Sequence, residues 1–222
     1  MVKITWLGHA AFKIETTNLI VFIDPWIKGN PVSPFKNYKE ITKANYIFVT
    51  HDHNDHGFND AVKICKKTGA SFVGVYELAN KSKRKGVKKT IGGNIGGEVI
   101  LNDFKVYFTQ AIHSSNIGIP CGFIINFPEY TIFHTGDTAF YSDLSYYSEL
   151  YNIDLMLIPI CSNYMMGIKE ATWAIQKIKP KKVIPMHYNT FPRLNSDPEH
   201  FKKMVGKNSS VEILNIGNTL II

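Results

Sequence analysis

His51-Asp52-His53-Asn54-Asp55-His56 follows Tyr46-Ile47-Phe48-Val49-Thr50, an apolar run with the character of a buried strand. Eight histidines in 222 residues would place about 0.2 in any window of six. This window holds three, with two aspartates between them. It lies where a strand ends, and a rigid element can hold ligands there in fixed geometry. Imidazole and carboxylate are donors that Zn²⁺ and related first-row ions accept. A His-x-His pair on a turn presents two rings to one ion, and Asp55 and His56 can face a second. The plainer alternative is a solvated polar loop without metal. Four such side chains packed behind a buried strand without compensation would be costly, so the metal reading is preferred.

Further ligands are sought at other strand ends. His113 follows Val106-Tyr107-Phe108-Thr109 and opens His113-Ser114-Ser115. Asp137 closes Phe133-His134-Thr135-Gly136-Asp137-Thr138, and His187 follows Val183-Ile184-Pro185-Met186. His9, just after Gly8 at a strand end, suits a proton donor to a leaving group or a partner that orients a ligand. Asp24, ending Ile20-Val21-Phe22-Ile23, suits a hydrogen bond to a ligand histidine or an anchor for the next turn. His134 lies inside an apolar strand, which favours a core or ligand-supporting role over direct ligation. His200 reads as a surface residue. Trp26, Phe35, Tyr141, Tyr164, Met165, Met166 and Phe191 fall in segments that can line an apolar pocket, although ordinary core packing explains each alone.

Around these points the chain alternates strands and helices. Strands are expected over 3–7, 11–15, 19–24, 46–50, 71–75, 98–101, 105–109, 122–127, 131–135, 155–160, 183–185, 211–214 and 219–222. Helices are expected over 58–67, 77–85, 142–150, 169–178 and 198–205, with Pro180 just past the fourth. Residues 25–40 carry Pro25, Gly29, Pro31 and Pro34 and read as a long irregular loop. Gly92-Gly93-Asn94-Ile95-Gly96-Gly97 resembles a phosphate loop superficially, but no Lys-Ser/Thr follows and no helix opens there. It is expected to be a turn.

The composition is 45% hydrophobic and 19% charged, which fits one soluble globular domain spanning 1–222. No apolar run approaches the ~20 residues of a transmembrane helix, and the first residues lack a signal-peptide pattern; a cytoplasmic location is expected. Cys65, Cys121 and Cys161 are too scattered for a disulfide framework or thiolate zinc cluster and read as buried thiols. The formal charge of +7 suits an anionic partner. Much of the excess crowds into Lys81, Lys83, Arg84, Lys85, Lys88 and Lys89, which is read as a solvated helix end and turn.

The order His-x-His-x-Asp-His, a single His, Gly-Asp-Thr and a late His after a strand resembles the metallo-β-lactamase superfamily. Trp6-Leu7-Gly8-His9-Ala10, Ile23-Asp24-Pro25, Phe133-His134-Thr135-Gly136-Asp137-Thr138 and Pro185-Met186-His187-Tyr188-Asn189-Thr190 are similar to a subgroup of metal-dependent hydrolases related to ascorbate-6-phosphate lactonases. The resemblance spans essentially the whole chain. It implies an α/β fold, an αββα sandwich of two mixed β-sheets flanked by helices. It also implies that His51, His53 and His113 bind one ion, that Asp55, His56 and His187 bind a second, and that Asp137 bridges. Cys161-Ser162-Asn163-Tyr164 departs from the subgroup, where a Gly-rich or acidic stretch is usual, so the substrate pocket is expected to differ there.

The chemistry expected of such a site is hydrolysis at two divalent ions, zinc first, with manganese or another first-row metal as alternatives. Asp55 and His9 are the catalytic candidates, and Asp24 and His134 the supporting ones. The substrate class is a small anionic ester-like molecule, a phosphoester or a lactone. Membrane association is not expected, nucleic acid is disfavoured by the lack of a long basic arm, and a homo-oligomer is compatible with the sequence. Competing readings are a mono-iron dioxygenase, a tRNA-processing nuclease and a non-catalytic metal-binding protein. His53, where di-iron oxygen reductases of this superfamily carry Glu, argues against that redox branch.

Overall fold

Short β-rich runs separated by Gly, Pro and Asn make strands, and amphipathic stretches with lysine-rich outer faces make helices. The structure, a computed structural model, describes residues 1–102 and 104–222. Its elements in chain order are β1 (Lys3–Trp6), β2 (Phe12–Glu15), β3 (Ile20–Ile23), β4 (Tyr46–Phe48), α1 (Phe58–Thr68), β5 (Ser71–Val75), α2 (Tyr76–Arg84) and β6 (Thr90–Gly93). There follow β7 (Glu98–Ile100), β8 (Lys105–Gln110), β9 (Cys121–Phe127), β10 (Tyr130–His134), α3 (Tyr147–Leu150), β11 (Leu155–Pro159), α4 (Ile168–Ile178) and β12 (Lys182–Met186). The chain closes with α5 (Pro198–Val205), β13 (Ser210–Val211) and β14 (Thr219–Ile221).

Two compact units interleave in sequence. The first comprises Met1–Asn94, Ser114–Ile119 and Leu214–Ile222, and the second Ile95–His113 and Pro120–Ile213. Each contains one seven-stranded mixed sheet and its own helices, the α/β class expected.

In the first unit the sheet order is β14-β1-β2-β3-β4-β5-β6. Pairing is antiparallel from β14 to β3 and parallel from β3 to β6. Ile47, Phe48, Phe72 and Val73 are fully buried, as central parallel strands require. Helix α1 packs on β4 and β5, and α2 on β5 and β6. α1 buries Phe58, Ala61, Val62, Ile64 and Cys65 and sets Lys63, Lys66 and Lys67 on its other side; it stops at Gly69, whose φ is +76°. Because β3 and β4 are parallel with Ile23 opposite Phe48, Asp24 emerges beside Val49 and Thr50. The chain direction therefore delivers a carboxylate to the root of the 51–56 loop.

In the second unit the order is β13-β12-β11-β10-β9-β8-β7. Pairing is parallel from β10 to β13 and antiparallel from β7 to β10. His134, Leu157 and Ile184 lie in one row across β10, β11 and β12. Asp137 and His187 each follow that row by three residues, so both leave the same edge of the sheet. Ligands in open α/β sheets gather at the carboxyl ends of parallel strands for this reason.

Three expectations need correction. Gly92 and Gly93 belong to β6 rather than to a turn. A β-carbon on Gly92 would lie 3.1 Å from the Tyr76 backbone and 3.3 Å from Ala79 Cβ, so the missing side chain lets α2 lie close on the strand. The helix expected over 142–150 is a 3₁₀ stretch, Ser142–Tyr146, followed by one turn of α3. The strand expected over 211–214 is the two-residue β13. All three cysteines are buried, and burial pushes the Cys65 thiol up to about 12. Among the described residues no helix is long and apolar enough to cross a membrane.

Gly122 in β9 faces Thr109 in β8. A β-carbon there would stand 2.5 Å from Thr109 Oγ1 and 2.7 Å from the carbonyl oxygens of His134 and Thr135. Gly122→Ala is therefore expected to destabilise the protein by about 1–3 kcal/mol, roughly 2–4 °C of melting temperature per kcal/mol. A thermal melt tests this, and an unchanged midpoint would contradict it.

Candidate metal centre

The 51–56 loop starts from Thr50, whose backbone N–H donates to Asp24 Oδ1 at 2.8 Å and whose hydroxyl donates to Asp24 Oδ2 at 2.7 Å. The same Oδ2 accepts from His56 Nδ1 at 2.7 Å. Asp24 and His56 are both 0% exposed. With Nδ1–H committed to a carboxylate, the neutral ring keeps its lone pair at Nε2, the arrangement that second-sphere carboxylates impose on metal-binding histidines. His51 Nδ1 lies 3.0 Å from the Thr50 hydroxyl, and its Nε2 lies 3.0 Å from His53 Nδ1. Two ring nitrogens thus face each other at the separation expected of neighbouring donors on one small ion.

The turn Asn54–His56 is a short 3₁₀ helix closed by Gly57 in the left-handed region, φ +68°. A β-carbon on Gly57 would come within 2.5 Å of the Pro25 carbonyl carbon and oxygen and Trp26 N. Only glycine permits this approach, which holds the loop against the segment after Asp24. His9, fully buried with φ +57°, places Nε2 3.2 Å from Asp55 Oδ2. Its ring meets the Trp26 ring edge-on at 5.1 Å between centroids. His9, Asp55 and His56 each bring a donor atom within 4.8 Å of the others.

Asp52 behaves differently from its neighbours. Its Oδ1 accepts from Asn116 N at 2.8 Å, Ser115 Oγ at 3.0 Å and Ile117 N at 3.3 Å, and Lys81 Nζ lies 3.4 Å from Oδ2. Burial alone would raise its pKa, but the Asn116 N–H, the Ser115 hydroxyl and the Lys81 ammonium together hold it below the ordinary carboxylate value. Asp52 pins residues 115–117, the stretch that leaves His113 and Ser114. Alternation along the loop, with His51 and His53 turned one way and Asp52 the other, was its only sequence signal.

In the second unit Asp137 Oδ2 lies 3.2 Å from His187 Nε2 and 3.6 Å from His113 Nε2. Ile112 N donates to Thr138 Oγ1 at 2.9 Å and Ala139 N to the Ile112 carbonyl at 3.0 Å, joining the loops that carry His113 and Asp137. Thr138 drew no notice from the sequence because it reads there as one more small polar loop residue. His134 is buried, and its Nδ1 accepts from Gly136 N at 3.1 Å, bracing the turn before Asp137. His187 has φ +58°, and its Nδ1 lies 3.6 Å from Cys161 Sγ. The first unit therefore gathers His9, Asp24, His51, His53, Asp55 and His56, and the second gathers His113, Asp137 and His187 beside His134. The donors are nitrogen and oxygen, largely buried and oriented through their outer atoms, which fits a borderline divalent cation.

A family model described as the beta-lactamase superfamily domain matches residues 3–187. A UPF0173 metal-dependent hydrolase of Pyrobaculum islandicum is 47% identical over 227 residues, covering 99% of this chain and 100% of its own. A protein of the same description from Staphylothermus marinus is 47% identical over 221 residues, covering 96% and 95%. Among solved structures, Igni18, a novel metallo hydrolase from the hyperthermophilic archaeon Ignicoccus hospitalis, is similar with a TM-score of 0.92 and 36% identity. The match covers 99% of this chain and 97% of that one.

Asp24→Asn leaves the shape of the contact but weakens the acceptor that orients His56. It is expected to lower metal affinity about 10–100-fold, measured as metal retained after dialysis against graded chelator. Retention equal to the parent protein would contradict the role given to Asp24.

Proposed function

This chain belongs to the metallo-β-lactamase superfamily and, within it, to the UPF0173 metal-dependent hydrolases; from that premise we propose that it hydrolyses an ester-like bond, phosphoester or lactone, in a small anionic molecule. The cofactor proposed is a pair of divalent ions, zinc first, with manganese or another first-row metal as alternatives. Bound divalent ions supply Lewis acidity toward the scissile group and lower the pKa of water to about 7. His51, His53, Asp55 and His56 from one unit, and His113, Asp137 and His187 from the other, are the ligands proposed.

The observation that carries this reading is the Asp24–His56 contact of 2.7 Å between two fully buried side chains. It turns a histidine's lone pair outward beside Asp55, and ordinary core packing has no use for that arrangement. Asp55 is assigned two tasks, ligation and acceptance of the attacking water's proton. His9, 3.2 Å from Asp55 Oδ2, orients that carboxylate and relays the proton Asp55 has taken from the water to the departing oxygen, so both residues end as they began. The residue types support hydrolysis over redox chemistry, because His53 stands where the di-iron branch carries Glu. A relation to ascorbate-6-phosphate lactonases is part of the proposal and favours a lactone among the candidate bonds.

A panel of phosphomonoesters, phosphodiesters and lactones, assayed with Zn²⁺ or Mn²⁺, tests the proposal. Activity on at least one class is expected, abolished by His53→Ala and lowered at least about 100-fold in kcat by Asp55→Asn. Activity indifferent to His53→Ala would overturn the assignment. Full activity of a metal-replete Asp55→Asn variant would remove the role given to Asp55.

A further inference from the structure

Within the first unit a cleft of ≈ 1590 Å³ runs from His53 and Asn54 outward between α1, α2 and the loop after β3. Trp26, Phe58, Val62 and Ile117 give its wall apolar surface, and lysines dominate the rest. Lys63, Lys66 and Lys67 come from α1, Lys81 and Lys85 from α2 and its end, and Lys28 and Lys39 from the long loop. Among the described residues two carboxylates, Asp52 and Asp60, line the same space beside the seven lysines, a formal charge of 7 − 2 = +5.

Both carboxylates are already engaged. Asp60 Oδ2 accepts from Ile27 N at 2.9 Å and Lys28 N at 2.7 Å, and Asp52 holds residues 115–117. Among the described residues the ion pairs of the cleft are Lys81–Asp52 at 3.4 Å and Lys63–Asp60 at 3.9 Å. Lys28, Lys39, Lys66, Lys67 and Lys85 are exposed and pair with no carboxylate among the described residues. Two of them are oriented by backbone carbonyls: Lys66 Nζ lies 3.3 Å from the Lys85 carbonyl oxygen and Lys67 Nζ 3.1 Å from that of Ile41.

A solvated helix face would spread such charges apart. Here three separate stretches of chain bring them to one concavity, while Lys83, Arg84, Lys88 and Lys89 of the basic run stay outside it. Gathering like charges in a concavity raises the local potential and concentrates anions. We propose that this cleft is a subsite for a polyanionic arm of the substrate, an organic molecule bearing two or more phosphate-type groups away from the bond that is cut. The inference rests on the hydrolase reading only in taking the His53 end of the cleft as the end where chemistry occurs.

The test uses the metal-loaded full chain and a fluorescent polyanion that is a poor metal ligand, methoxypyrene trisulfonate, with pyrene monosulfonate as comparison. Anisotropy is expected to show saturable binding of the trisulfonate that weakens with added salt. It is expected to be about ten-fold tighter than the monosulfonate and about ten-fold weaker in Lys66→Gln/Lys85→Gln, whose circular dichroism matches the parent. Equal binding by parent and double variant, or by the two dyes, overturns the proposal. Metal content and hydrolysis of the phosphoester and lactone panel, measured on the same samples, separate the two claims. Trisulfonate binding without metal or hydrolysis supports the cleft and sinks the hydrolase reading, whereas hydrolysis without trisulfonate binding does the reverse.

Discussion

The arrangement of the first unit depends on one buried carboxylate. Asp24 sits at the end of β3 with no solvent contact and accepts from the Thr50 N–H, the Thr50 hydroxyl and His56 Nδ1. An ionised carboxylate with fewer donors would carry a desolvation cost of several kcal/mol. The parallel pairing of β3 with β4 supplies the first two donors, and the return of the 51–56 loop supplies the third. That return requires Gly57, whose backbone passes so close to Pro25 and Trp26 that no β-carbon fits. Sheet direction, a glycine and a carboxylate thus combine to aim one imidazole nitrogen.

Backbone strain gathers at the same places. His9, Asp24, His187 and Asn189 all have positive φ, a conformation uncommon for residues with a β-carbon. Such positions persist where surrounding contacts over-determine them, and they cluster at functional sites. His9 is held by Trp26 and Asp55, and Asp24 by its three donors. Asn189 accepts from Ser196 N at 2.9 Å, fixing the turn just after His187. In each unit part of this strain lies where a strand edge hands its chain to a donor group; Ser162 and Lys179, the residue that ends α4, also have positive φ.

The mixed strand and helix pattern, and the placing of the candidate donors at strand ends, could be read from the sequence because they rest on short-range rules. An apolar run followed by polar donors marks a strand end, and parallel strands bring such ends to one edge. Gly92 and Gly93 misled because glycine signals a turn locally, while here its smallness serves helix packing at long range. Asp52 escaped notice because its partners, residues 115–117, lie more than sixty positions away in sequence. The basic run 81–89 read as a single solvated feature. Only folding separates Lys81 and Lys85, which face the cleft with lysines from elsewhere, from the members that do not.

The central claim is that nitrogen and oxygen donors around His51–His56 hold divalent ions, with Asp24 setting the orientation. Diffraction from crystals of the purified protein, recorded across the zinc or manganese absorption edge, addresses it most directly. Anomalous density is expected within about 2.0–2.2 Å of the histidine nitrogens and carboxylate oxygens of that loop, with His56 ligating through Nε2. Density ligated through His56 Nδ1, or bound to cysteine sulfur away from the loop, would contradict it.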